Sequence, residues 1–359
     1  MSDRKIRIGV VGGGFGASFH WHQHPNCVVA AVSDLRTDRR EHLMRVYQCD
    51  QAYESLEKLI LDDTLDAVAV FTGAPDHVRH CAAVMNAGKH CISAVPAAFT
   101  LEECEELVKT KERTGRKYMM AETSYYRWPT ITARKLHEDG RFGELVYSEV
   151  EYYHPLTGAE REGLWFYNGQ RTWRYGYPPM HYPTHSTGFL VGVTKERLVE
   201  VSCLGWTDPA EPALKDNAYG NPFSNAAALF KTDQGHTCRC NVMWRVHAGG
   251  ERAQWLGTKA ALYMPGSGGQ PYVLQEEGRA PIAGEPDYWH MVPEAMRVDS
   301  GHGASHPFLT HEFIMALVEE REPAVDVYES VAMTAPGIVA HQSALRGGEQ
   351  LKVPSFDPE

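Results

Sequence analysis

A chain of 359 residues is too long for one ordinary core and predicts two domains. Its formal charge of −11 excludes nucleic acid and anionic membrane as partners, because both need a positive footprint. No apolar run reaches the ~18 residues of a spanning helix, so no membrane span is expected.

Apolar runs and helical patterns alternate from the start. Lys5–Val11, Val28–Ser33, Asp66–Phe71, His90–Ala94 and Lys117–Ala121 read as strands. Phe15–His24, Thr37–Val46, Tyr53–Leu61, Asp76–Ala87 and Thr100–Thr114 read as the helices between them, the last supported by capping-box spacing of Thr100 and Glu103. Near-continuous apolar strands separated by helices predict an α/β Rossmann domain with a doubly wound parallel sheet over 1–123. The opening MSDRKIRIGVVGGGFG reads as its first strand rather than as a signal peptide, because the apolar part is short and runs into glycines.

After residue 123 the pattern changes. A helix (Pro129–Glu138) precedes the alternating segments Leu145–Tyr153, Leu198–Leu204, Ala226–Phe230 and Thr237–Val246, which read as half-buried antiparallel strands. Helices Pro307–Glu320 and Tyr328–Arg346 end the chain. Residues 124–359 are therefore expected to form an α+β domain with a large open, mainly antiparallel sheet that serves substrate binding and oligomerisation. The aromatic stretch Pro155–Pro183 is too long for a simple connection and reads as a functional loop.

The strongest motif is Gly12-Gly13-Gly14-Phe15-Gly16-Ala17, which contains G-x-G-x-x-A between the first strand and the first helix. Gly12 permits the tight turn, Gly14 the approach of a pyrophosphate, and Ala17 close packing of helix on strand. Asp34 follows at the end of the second strand, where an acid receives ribose hydroxyls. It repels a 2′-phosphate, so NAD is expected over NADP, although Arg36 stands close by.

Two other clusters predict no metal. In His20-Trp21-His22-Gln23-His24 only His20 and His24 share a helix face, and no acid stands near in sequence. Cys238 and Cys240 alternate on a strand and read as ordinary packing. The eight scattered cysteines form no CxxC pair and fit reduced, buried thiols in a cytoplasmic protein.

Ala74-Pro75-Asp76-His77, Ala87-Gly88-Lys89-His90, Ser93-Ala94-Val95-Pro96, Gly140-Arg141-Phe142-Gly143-Glu144 and the His185 segment together resemble the Gfo/Idh/MocA oxidoreductase family. The resemblance covers essentially the whole chain and implies NAD at a Rossmann domain and a carbohydrate substrate at the domain junction. It adds Pro75, His77, Val95 and Pro96 to Gly12, Gly14, Phe15, Gly16, Asp34 and Arg36 as candidate cofactor contacts. The family's Glu-Lys-Pro is here Ala94-Val95-Pro96, and valine cannot hydrogen-bond the hydroxyl to be oxidised. Val95-Pro96-Ala97-Ala98, Met119-Met120-Ala121-Glu122, Tyr182-Pro183-Thr184-His185 and Gly301-His302-Gly303 look more like the family's NAD-dependent glycosidase branch, typified by α-N-acetylgalactosaminidase. That branch implies redox-neutral cleavage of a glycoside with recycling of NAD.

On this resemblance His185 is expected to take the hydroxyl proton, Tyr152 to remove the C2 proton or bind the ketone, and Glu122 to contact ligand. Tyr153 should face the opposite side of the strand. His181, four residues before His185, could share a helical face with it. Trp165, Trp173, Arg174 and His302 are candidate sugar contacts. The alternatives are a net sugar or polyol dehydrogenase and a non-catalytic NAD-binding regulator. A homodimer or homotetramer through the second-domain sheet is expected.

Overall fold

The computed structural model describes Arg4–Pro358 and divides into two units. One comprises residues 1–127 and 287–331, the other 128–286 and 332–359. The segment 287–331 groups with the first unit. No helix among the described residues is long and apolar enough to cross a membrane.

The first unit holds the strands β1 (Ile6–Val11), β2 (Cys27–Ser33), β3 (Ala52–Tyr53), β4 (Ala67–Val70), β5 (His90–Ser93) and β6 (Tyr118–Met120). They form one parallel sheet in the order β3-β2-β1-β4-β5-β6, the doubly wound arrangement of a dinucleotide-binding fold. Helices α1 (Thr37–Tyr47), α2 (Leu56–Leu59), α3 (His77–Asn86) and α4 (Leu101–Thr114) connect them. Thr100 and Glu103 form the expected capping box on α4.

Two expected helices differ. Phe15–His24 is not one helix but two 3-10 turns, Phe15–Ser18 and Trp21–Gln23, with His20 left-handed between them (φ 54). Phe19 and Trp21, on either side of this left-handed residue, are both fully buried. Tyr53–Leu61 shrinks to α2 because Tyr53 pairs with Ser33 in the sheet and Ser55 caps the turn that follows.

The second unit carries α5 (Trp128–Glu138), β7 (Leu145–Tyr153), α6 (Gly158–Trp165), β8 (Phe166–Tyr167), β9 (Gln170–Arg171), α7 (Thr184–Thr194), β10 (Leu198–Trp206), β11 (Asn225–Thr232) and β12 (Thr237–Met243). It continues with β13 (Gly250–Gly257), β14 (Ala260–Tyr263), β15 (Val273–Glu276) and β16 (Ile282–Ala283). The 287–331 segment supplies the short turn α8 (Gly301–Ala304) and α9 (His306–Val318). The chain closes with α10 (Val327–Leu345) and β17 (Leu351–Lys352).

The nine-stranded sheet runs β16-β15-β14-β13-β7-β12-β11-β10-β17, antiparallel except between β7 and β12. The last predicted strand stops at Met243, three residues early, because the Trp244 amide turns to the Ser224 carbonyl (3.1 Å). One face is covered by α7, with the Trp255 indole donating to the Phe189 carbonyl at 3.0 Å. Cys238 and Cys240 lie on this covered face, where burial pushes both thiols up, Cys240 to about 12. All eleven residues of α7 are buried, which is why it carries no amphipathic signal in the sequence.

Candidate active site

The glycine turn is shaped by close backbone approaches. Gly12 has φ +101, and a Cβ there would lie 2.2 Å from the Phe71 carbonyl oxygen, so only glycine fits. At Gly14 a Cβ would meet nothing nearer than the Arg39 guanidinium at 3.7 Å, which leaves this side of the turn open to a ligand. Gly16 is pressed against Phe71, and the Phe15 ring is edge-on to Phe19 and Phe71. With the helix broken, the turn's own amides must do the anion binding expected of a long helix terminus.

Asp34, at the end of β2, accepts from the Gly13 amide at 2.7 Å and the Arg36 amide at 2.8 Å. It braces the turn and sits where a ribose would be held. Arg36 is paired with Asp38 at 2.6 Å, which occupies the cation that could favour a 2′-phosphate. Arg39, which sequence reasoning missed, is the arginine that flanks Gly14. These residues fit NAD. Replacing Asp34 with alanine should raise the NAD Kd by at least ~10-fold, the scale of a lost hydrogen bond to a charged group. Calorimetric titration checks this, and unchanged affinity would reduce Asp34 to a loop brace.

The remaining first-unit candidates divide. Pro75 lies in the turn after β4, and Val95 and Pro96, joined by a cis peptide, are buried after β5. His77 is buried, with its ring nitrogens 2.7 Å from the Pro96 carbonyl and 3.1 Å from that of Thr72, so it ties these two loops together. Glu122 is fully buried after β6, and its Oε1 accepts from the Ser124 amide (2.8 Å) and hydroxyl (2.6 Å). His302 lies beside the glycine turn, its ring against Phe15 and its Nδ1 3.0 Å from His306 Nε2. Burial, with His302 adding, pushes the His306 imidazole down to about 3.

In the second unit Tyr152 and His185 meet. Tyr152 is on the covered face of β7 and His185 in the first turn of α7, with ring centroids 4.8 Å apart. Tyr182 stacks on Tyr152 at 6.0 Å and Trp244 meets it edge-on at 5.7 Å. Tyr153 points to the open face and donates to Glu151 at 2.7 Å, as the strand period requires.

A connection absent from the sequence reading runs outward from Tyr152. Its hydroxyl is 3.2 Å from His154 Nδ1, and His154 Nε2 is 3.0 Å from Glu160 Oε1. Glu160 is 58% exposed, so the chain of hydrogen bonds ends at solvent. The spacing Tyr152-x-His154 put both on one face of a strand and was the available signal.

His181 does not share a helical face with His185. It sits in the turn Pro179–His181 before α7, and its ring lies against His341 at 5.0 Å. Burial, then His341, pushes this imidazole down to about 3. Trp173 supports Arg174, whose guanidinium lies 4.2 Å from the Trp173 ring and 5.5 Å from Tyr182. Burial opposes the Arg174 charge, but Tyr182, Tyr152 and Tyr177 outweigh it and raise its pKa. Trp165 is buried at the end of α6, against Tyr175.

Residues 6–122 match the oxidoreductase family with an NAD-binding Rossmann fold (Gfo/Idh/MocA). Residues 282–358 match the C-terminal domain of glycosyl hydrolase 109. A glycosyl hydrolase family 109 protein of Solibacter usitatus is 26% identical over 98% of this chain and 88% of its own length. Among solved structures, an aldose–aldose oxidoreductase from Caulobacter crescentus aligns with a TM-score of 0.78 at 20% identity, over 98% of this chain and all of its own. An NAD-binding oxidoreductase from Klebsiella pneumoniae aligns with a TM-score of 0.80 at 16% identity, with the same coverage.

Proposed function

We propose that this NAD-dependent enzyme cleaves a glycoside without net oxidation, a reading supported by the matches of residues 6–122 to an NAD-binding Rossmann oxidoreductase family and of residues 282–358 to the C-terminal domain of glycosyl hydrolase 109. The observation that carries the reading is the Tyr152–His185 pair with its outlet through His154 and Glu160. A glycoside cleaved by elimination needs two separate proton acceptors, and this cluster offers two.

When bound, NAD supplies a reversible oxidant for a ring hydroxyl, assigned to C3, and the ketone so formed acidifies the C2 proton. His185 takes the hydroxyl proton, the role that buried, apolar Val95 cannot perform. Tyr152 takes the C2 proton, and His154 and Glu160 pass it to solvent. The C2–H electron pair becomes the C1=C2 bond, and the C1–O pair leaves with the departing group. Water adds, and reversal of the first step restores the hydroxyl. Trp173, Arg174 and Tyr182 hold the sugar.

The test is a panel of 4-nitrophenyl glycosides in which nitrophenol and NADH are followed together. Nitrophenol without accumulating NADH is expected. NADH without nitrophenol would make the protein a net sugar dehydrogenase, and NAD binding without any turnover would leave a regulator.

The same reading includes a homo-oligomer through the open face of the large sheet. Leu204, Trp206 and Leu229 stand on that face at 65%, 50% and 54% exposure, side by side on β10 and β11. Light scattering should show a dimer or tetramer that Leu229→Glu weakens, and a monomeric wild type would overturn this assignment. A reducing compartment such as the cytoplasm suits the eight buried free thiols.

A further inference from the structure

Within the second unit an open-mouthed cleft lies one indole away from Tyr152. Its walls include Leu156, Trp165, Tyr177, Phe223 and Trp244, so they are largely flat and apolar. Trp244 is the shared wall. Its N–H is fixed to the Tyr177 carbonyl at 3.1 Å, and its ring also meets Tyr152 edge-on.

The polar groups at the cavity are unbalanced. Its carboxylate is already engaged: Glu211 takes a bond from Arg161 at 2.7 Å and one from the Ala213 amide. Arg245 is closed by Asp208 at 2.9 Å. Donors are left over. The buried Trp165 indole N–H has no acceptor among the described residues. Arg174, also in the wall, stacks on aromatic rings and makes no ion pair among the described residues.

A second sugar would bring hydroxyl protons that need acceptors, and this cavity has few to give. A flat ring carrying an electron-rich oxygen matches both the aromatic walls and the spare donors. We propose that the cavity is the leaving-group pocket of the glycoside site and takes an aryl group, a phenol that departs as its phenolate. This rests on the glycoside reading above. When the C1–O bond breaks, its electron pair goes to the phenolic oxygen, and the Arg174 guanidinium stabilises the charge that forms.

The test uses the full chain with NAD and 4-nitrophenol as the probe, read by absorbance across pH and by calorimetry. Bound nitrophenol should titrate at lower pH than free nitrophenol, because the guanidinium favours the phenolate. Arg174→Met should abolish that shift and weaken binding ~10-fold or more. Trp165→Phe, which keeps one aromatic ring but removes the N–H with part of the indole, should weaken it several-fold with the fold intact. Equal binding by wild type and Arg174→Met overturns the proposal. So does a neutral monosaccharide that displaces nitrophenol from this cavity. Efficient cleavage of methyl and aryl glycosides alike, without nitrophenol binding, overturns the pocket while the glycoside reading stands. Nitrophenol binding as expected, with no glycoside cleaved, overturns the glycoside reading and with it the leaving-group role.

Discussion

Tyr152→Phe should lower kcat for glycoside cleavage by ~10²–10⁴-fold, the usual worth of a positioned general base, while leaving the protein folded. Phenylalanine preserves the ring that touches His185, Tyr182 and Trp244, and removes the one atom that reaches His154. The loss should fall on a particular step. Oxidation of the ring hydroxyl needs no base at C2, so the variant should still reduce its bound cofactor when sugar is added. Exchange of the C2 proton with deuterated water should stop. His154→Gln should show a smaller fall in kcat, because it interrupts the route to Glu160 without removing the phenol. A Tyr152→Phe enzyme that retained more than about a tenth of the wild-type rate would remove Tyr152 from the role of base.

What the sequence disclosed follows from how local each signal is. Gly12, Gly14 and Asp34 lie within one strand–turn–strand unit, and the backbone demands of that unit are written in residue type and spacing. The doubly wound parallel sheet followed from the alternation of apolar runs with helices. The second unit was harder. Strand β13 begins and ends on glycine (Gly250, Gly257), and β14 to β16 are only two to four residues long, so alternation there never builds a clear pattern. Helix α7 is buried all round and shows no polar face. The long loop that the sequence marks as functional hides α6 and the β8–β9 hairpin, and its residues line a cavity with Phe223 and Trp244 from distant segments. Such a wall exists only after folding. The break at His20 shows the same limit at shorter range, because a single left-handed residue interrupts the helical pattern of 15–24.

His185 occupies a different place in the chemistry, and its replacement should therefore fail earlier. The ring is 3% exposed, in the first turn of α7. A neutral imidazole is the form that can accept a proton. His185→Asn keeps a polar group of lesser bulk but leaves no base for the sugar hydroxyl. It should lose ~10²–10⁴-fold in cleavage, as Tyr152→Phe does, and also lose the sugar-dependent reduction of bound cofactor that Tyr152→Phe retains. The two variants together then order the proton transfers: hydroxyl first, C2 second. Since the rings touch, their combined replacement should cost far less than the product of the single losses, as groups acting in one sequence do. If His185→Asn reduced its cofactor on sugar addition at the wild-type rate, the hydroxyl proton would have to leave by another group, and Tyr182, 5.3 Å away between ring centroids, would be the next residue to replace.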